Sequence, residues 1–136
     1  MNTFFNALRR GAFPVVVSLA LVLAACSSAD PSESASGATA TVVDGAVTVT
    51  AAELAFDAGV IEAPAGEPFT ITLVNDDSVP HNISLYTEEG GTEIVIGEII
   101  DGGTTVEVTV DALEAGEYYF VCDLHTDMDG TVVVGG

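Results

Sequence analysis

The sequence predicts an all-β domain, built as a two-sheet Greek-key β-sandwich, and three observations predict it. Valine, isoleucine and threonine recur in short runs of period two, clusters of Gly, Asn, Asp and Pro punctuate those runs, and the 3.6-residue periodicity of amphipathic helices is scarce. At 136 residues the chain has room for one domain with a real core and hardly for two. A closed β-barrel of similar size carries the same alternation and stays open as the alternative architecture.

The strand signals begin beyond Thr41. Val47 and Val49 alternate with threonines, Leu54 pairs with Phe56, and Phe69, Ile71 and Leu73 alternate with Thr70 and Thr72. Each run has one apolar face. Asn75-Asp76-Asp77-Ser78 makes a polar turn, Pro80 stiffens its exit, and Ile83 with Leu85 opens the next run, which puts His81 at a loop-to-strand junction. Gly90-Gly91 and Gly102-Gly103 frame two further strands, one over residues 94–100 and one through Val106, Val108 and Val110. Residues 111–116 read as a helical turn or a loop. Tyr118, Phe120 and Cys122 then share a strand face, and residues 131–134 close the domain. About seven short strands at this spacing make the sandwich the leading architecture.

Residues 1–25 read as a signal peptide. Arg9 and Arg10 precede an apolar stretch over residues 12–25 that is too short to be a good membrane span. Leu23-Ala24-Ala25-Cys26 resembles the lipobox of bacterial lipoproteins, which implies cleavage before Cys26 and acylation of that residue. The consecutive arginines leave both Sec and twin-arginine export open. Residues 26–40, rich in Ser, Ala, Gly, Thr and acid, have too little apolar surface to order themselves and read as a tether. The folded domain is expected over residues 41–136. Its place is outside the cytoplasm, in the periplasm or on the outer face of the cell membrane, held to the bilayer only by the lipid on Cys26.

Charge narrows the partners. The chain has 21 acidic residues against two arginines, a net charge of −19; loss of residues 1–25 removes both arginines and no acid, leaving −21. Such an excess excludes nucleic acid as a partner. It suits a saline setting or a basic partner, and salt is expected to support folding by screening self-repulsion.

With Cys26 assigned to the lipobox, Cys122 has no disulfide partner. A lone exported thiol is either a small buried hydrophobe or a metal ligand, and its neighbours decide. Cys122-Asp123-Leu124-His125-Thr126-Asp127-Met128 offers a thiolate, an imidazole and a thioether within seven residues. The second of the chain's two histidines, His81, lies at a strand end that a sandwich can bring beside this loop. Two imidazoles, one thiolate and a weak thioether suit both Cu(I), which favours soft sulfur, and Cu(II), which favours imidazole. Zinc more often gathers several cysteines, or histidines with carboxylates. Asp123, Asp127 and Asp129 suggest calcium, but no twelve-residue loop with its glycine and closing glutamate follows.

Asp77-Ser78-Val79-Pro80-His81-Asn82, Ala115-Gly116-Glu117-Tyr118-Tyr119-Phe120-Val121-Cys122 and the segment from His125-Thr126-Asp127-Met128 through Val134 resemble the cupredoxin family, in its small plastocyanin- and amicyanin-like form. The resemblance runs from about Val47 to the C-terminus. It implies a cupredoxin-like sandwich holding one type I (blue) copper ion, with His81, Cys122 and His125 as equatorial ligands and Met128 as the axial one. It also implies that Asn82 ties the two ligand-bearing loops together, and that the edge of His125 is the electron port, with Leu124 in the docking patch around it. Thr126 stands where many relatives have proline, and Asp123, Asp127 and Asp129 crowd the loop with charge that favours Cu(II).

The function expected is single-electron transfer between extracytoplasmic redox proteins, by a monomer. The alternative is storage of copper or its delivery to an exported enzyme. An enzyme of this lineage would need further copper centres, and no histidines remain to build one.

Overall fold

The computed structural model describes residues 37–135, and within them ten strands and no helix. These are β1 (Ala38–Thr41), β2 (Ala46–Ala52), β3 (Ala55–Phe56), β4 (Ala58–Pro64), β5 (Phe69–Asn75), β6 (Ser84–Tyr86), β7 (Glu93–Val95), β8 (Thr105–Val110), β9 (Gly116–Cys122) and β10 (His125–Gly135). They form a six-stranded sheet in the order β1-β4-β10-β9-β6-β7 and a four-stranded sheet in the order β3-β2-β5-β8. Both sheets are mixed: β4 runs parallel to β1 and to β10, and β2 runs parallel to β5, while the other pairs are antiparallel. The architecture is the predicted two-sheet sandwich.

Alternation explains why these segments are strands and which way each faces. On β5, Phe69, Ile71 and Leu73 are buried while Thr70 and Thr72 are half-buried, and β2 sends Val47, Val49 and Ala51 inward. On β8, Val108 and Val110 are buried between exposed Glu107 and Thr109. These residues meet Ile61, Leu85, Phe120 and Val132 from the six-stranded sheet in one core. Phe56 and Phe120, one from each sheet, lie with ring centroids 5.6 Å apart in a tilted pair. Burying each large apolar side chain here contributes about 1.5–3 kcal/mol.

Three local expectations are corrected, and a fourth, left open between a helical turn and a loop, is resolved. Leu54 is not a strand residue: with Glu53 it forms the turn between β2 and β3 at φ of 60° and 53°, and it is 54% exposed. The strand expected over residues 94–100 stops at Val95. Beyond it the chain passes over Ile83, just before β6, where a Cβ at Gly97 would collide with the Ile83 carbonyl oxygen; Ile96 and Ile99 face solvent and Ile100 rejoins, bridging to His81. Residues 111–115 are a loop, without a helical turn. The closing strand begins at His125, six residues before the expected 131, with a bulge between His125 and Asp129.

The tether expected over residues 26–40 gives way to β1 at Ala38. The signal peptide, Cys26 and the rest of the tether through residue 36 lie outside the described residues. Because β1 and β4 run parallel to β10, whose first residue is His125, Ala38 enters the sheet at the end where β9 finishes and β10 starts.

Candidate metal centre

Cys122 ends β9, a two-residue turn of Asp123 and Leu124 follows, and His125 opens β10 directly opposite Cys122. The ladder thus brings thiol and imidazole together across one tight hairpin. Three residues on, within the irregular step, Met128 turns inward and is 2% exposed. His81 arrives from the other side. Its backbone N–H donates to the Ile100 carbonyl at 3.1 Å and its carbonyl accepts from the Ile100 N–H at 2.9 Å, which fixes the loop just before β6.

The donor atoms converge as expected. Cys122 Sγ lies 3.6 Å from Nδ1 of His81 and 3.6 Å from Nδ1 of His125, and the ligand atoms of the three residues all lie within 4.8 Å of one another. The two imidazole centroids are 4.8 Å apart. Among the described residues this is the one such grouping of His, Cys, Asp and Glu. His81 and Cys122 are fully buried, whereas His125 is only partly so. Two imidazole nitrogens and a thiolate around one point, with a buried thioether on the same hairpin, fit one copper ion better than zinc.

Sequence reasoning passed over Asp77. Its carboxylate accepts a hydrogen bond from His81 Nε2 at 3.2 Å, so the ring's proton sits on Nε2 and the lone pair of Nδ1 faces the sulfur. The same carboxylate accepts from the backbone N–H of Leu54 at 2.9 Å and of Ser78 at 2.8 Å. Those two amides, followed by the His81 hydrogen bond, hold the Asp77 carboxyl below its ordinary value. Asn75, fully buried, steadies the loop. Its Nδ2 donates to the carbonyls of Val79 and Ile100, and its Oδ1 accepts from the Asp77 N–H. The signal available in the sequence was an acid four residues before a ligating histidine across a short polar loop.

The tie expected of Asn82 is present. Asn82 Oδ1 accepts from the Asp123 backbone N–H at 2.9 Å, joining the His81 loop to the Cys122–His125 turn. Asp123, expected to crowd the loop with negative charge, is also tied into the structure around it. Its carboxylate accepts from Asn82 Nδ2 at 2.7 Å, Ser84 Oγ at 2.5 Å and the Tyr86 hydroxyl at 2.7 Å. Burial works to raise its carboxyl, but the hydrogen bonds from Ser84, Asn82 and Tyr86 prevail and hold it below the ordinary value. The hydrogen bond to Asp123 in turn pushes the Tyr86 phenol up to about 12. Asp129 behaves in the opposite way: burial and the charge of Glu89 raise its carboxyl. Leu124 is 44% exposed on the turn.

A β-sandwich whose one buried thiol meets two imidazoles at the end of the sheets defines a single-metal binding domain. The comparisons agree with that class. The family model described as Cupredoxin-like domain matches residues 15–134. Amicyanin of Paracoccus denitrificans is 32% identical over 104 residues, covering 76% of this chain and 76% of that protein. Among solved structures, an amicyanin variant in its Cu(I) form is 28% identical at a TM-score of 0.52, covering 68% of this chain and 85% of its own. Auracyanin from the photosynthetic bacterium Roseiflexus castenholzii matches in fold at a TM-score of 0.61 and 19% identity, covering 70% of this chain and all of that one. The chain belongs to the cupredoxin family.

Proposed function

We propose that this chain is a one-electron carrier working outside the cytoplasm, with a single type I copper ion held by His81, Cys122, His125 and Met128. The observation that carries the reading is the convergence of His81 Nδ1, His125 Nδ1 and Cys122 Sγ within 4.8 Å in a site set by strand register. Copper bound there supplies the one-electron Cu(I)/Cu(II) couple. The protein's part is to hold the donors still: Asp77 fixes the His81 ring, Asn82 fixes the turn, and burial of His81, Cys122 and Met128 keeps water and chelators away. Little rearrangement is then needed on gaining or losing an electron.

His125 is the electron port in this reading, because it alone of the four proposed ligands is not fully buried, and exposed Leu124 beside it begins the docking patch. The partners are redox proteins, met in brief encounters through a small interface. The described residues contain no lysine or arginine, so a basic partner surface is favoured. Export and acylation at Cys26 would keep a monomeric domain beside the membrane. No catalytic step on a substrate is assigned to it. Deep burial of three donors favours a retained ion over one that is readily handed on, and so favours the carrier over a copper store or delivery protein.

The test is the visible absorption spectrum of the copper-loaded domain. An intense blue thiolate-to-copper band, lost in Cys122→Ser, is the expected result. A colourless complex in the unaltered protein overturns the reading.

A further inference from the structure

We propose that Asp123 is a positioning residue, which sets the geometry of the Cys122–His125 turn. The inference deepens the reading above, since that turn carries two of the ligands. Its grounds are the hydrogen bonds that Asp123 makes to the residues around the turn.

A carboxylate can only accept, so it can draw several donors to one point. Asp123 Oδ2 takes Asn82 Nδ2 and Ser84 Oγ, Oδ1 takes the Tyr86 hydroxyl, and the Asp123 backbone N–H returns a hydrogen bond to Asn82 Oδ1. The three donor residues alternate along one stretch, Asn82, Ser84 and Tyr86, and therefore face the turn as a row. Ser84 Oγ also accepts from the Gly97 N–H at 3.2 Å and from Asn82 Nδ2 at 3.1 Å, while Asn82 Nδ2 reaches the Gly97 carbonyl at 3.1 Å. One carboxylate thus joins the ligand turn, the entry to β6 and the strap that passes through Gly97.

The position demands this chemistry. Asn82 and Ser84 are buried, and without Asp123 their donors would lose their one charged acceptor. The turn has only one other residue, Leu124, whose side chain is exposed and fixes nothing. The orientation of His125 relative to Cys122 therefore depends on Asp123, which touches neither ligand through its side chain.

Two measurements on Asp123→Ala and Asp123→Asn test the assignment. In the metal-free protein, amide hydrogen exchange at Leu124 and His125 is expected to quicken on the order of tenfold in Asp123→Ala, as loss of a charged hydrogen bond implies. Asp123→Asn, which keeps one acceptor oxygen, should fall between that and the unaltered chain. In the copper-loaded protein, Asp123→Ala should weaken metal affinity about 10–100-fold and move the thiolate-to-copper band, a signature that simple loss of stability leaves in place. Unchanged exchange at the two amides in Asp123→Ala overturns the positioning role. So does an unshifted band with affinity kept within twofold. Absence of the band in the unaltered protein would instead sink the copper reading, and the exchange experiment would still decide the role of Asp123.

Discussion

Asp77 and His81 stand four residues apart on one loop, and the 3.2 Å hydrogen bond between Oδ2 and Nε2 turns the opposite ring nitrogen toward Cys122. The carboxylate is itself held by the Leu54 and Ser78 amides, so the ring is oriented by backbone from two separate loops.

Replacing Asp77 by alanine removes that support. Copper affinity, measured by competition with a chromophoric chelator, is expected to fall about 10–100-fold. Asp77→Asn, whose amide oxygen can still accept from Nε2, should lose less. Equal affinities across the three proteins would show that the ring needs no such anchor.

Gly97→Ala places a methyl group against the Ile83 carbonyl oxygen, where backbone cannot yield. Denaturant unfolding should give a loss of about 1–3 kcal/mol with an unchanged m-value, the usual cost of overpacking.

Asp129→Asn should stabilise the protein at neutral pH. With its carboxyl raised above the ordinary 3.8, Asp129 favours the folded state when protonated, and that contribution is lost as pH rises through the raised value. At pH 7 its charge is therefore a cost, of under ~1 kcal/mol for a half-buried group that solvent still screens. A gain of about 1–4 °C in Tm at pH 7, shrinking as pH falls below the usual carboxylate range, is the expected pattern. In voltammetry the same variant and Asp127→Asn should each raise the midpoint potential, because each removes negative charge near the site, and molar salt should shrink the shift.

Stability should also rise with salt. The described residues hold acids and no lysine or arginine, so their net repulsion is relieved only by counterions or bound cations. Thermal melts in millimolar and molar sodium chloride should separate clearly; coincident melts would refute the claim.

Much of this was legible in the sequence because strand burial and ligand chemistry are local properties. The alternation of Phe69, Ile71 and Leu73 has one structural solution, and a Cys, His and Met within seven residues announces a metal loop before any fold is known. What was illegible depended on long-range approach. Ile94 to Ile100 carries strand-like residues throughout, and only the passage of Gly97 over the Ile83 carbonyl ends the strand at Val95. Leu54 looked apolar enough for the core, yet its backbone is needed in a left-handed turn whose N–H serves Asp77. Asp123 could not be told from Asp127 by composition, because what distinguishes it is three donors lying 37 to 41 residues upstream.

The direction of β1 has a practical side. The strand starts level with Ala58, two strands across from the beginning of β10, so the polypeptide joins the domain at the end that carries the proposed ligands. The ten residues between Cys26 and Gly37 span at most roughly 35 Å. A protein immobilised on an electrode through its N-terminal segment would consequently be hung with its ligand end toward the surface. One attached through Gly135, at the far end of β10, would be turned the other way. The two attachments give electrical contact by opposite faces of one molecule, and the difference in current between them would measure how directional the wiring is.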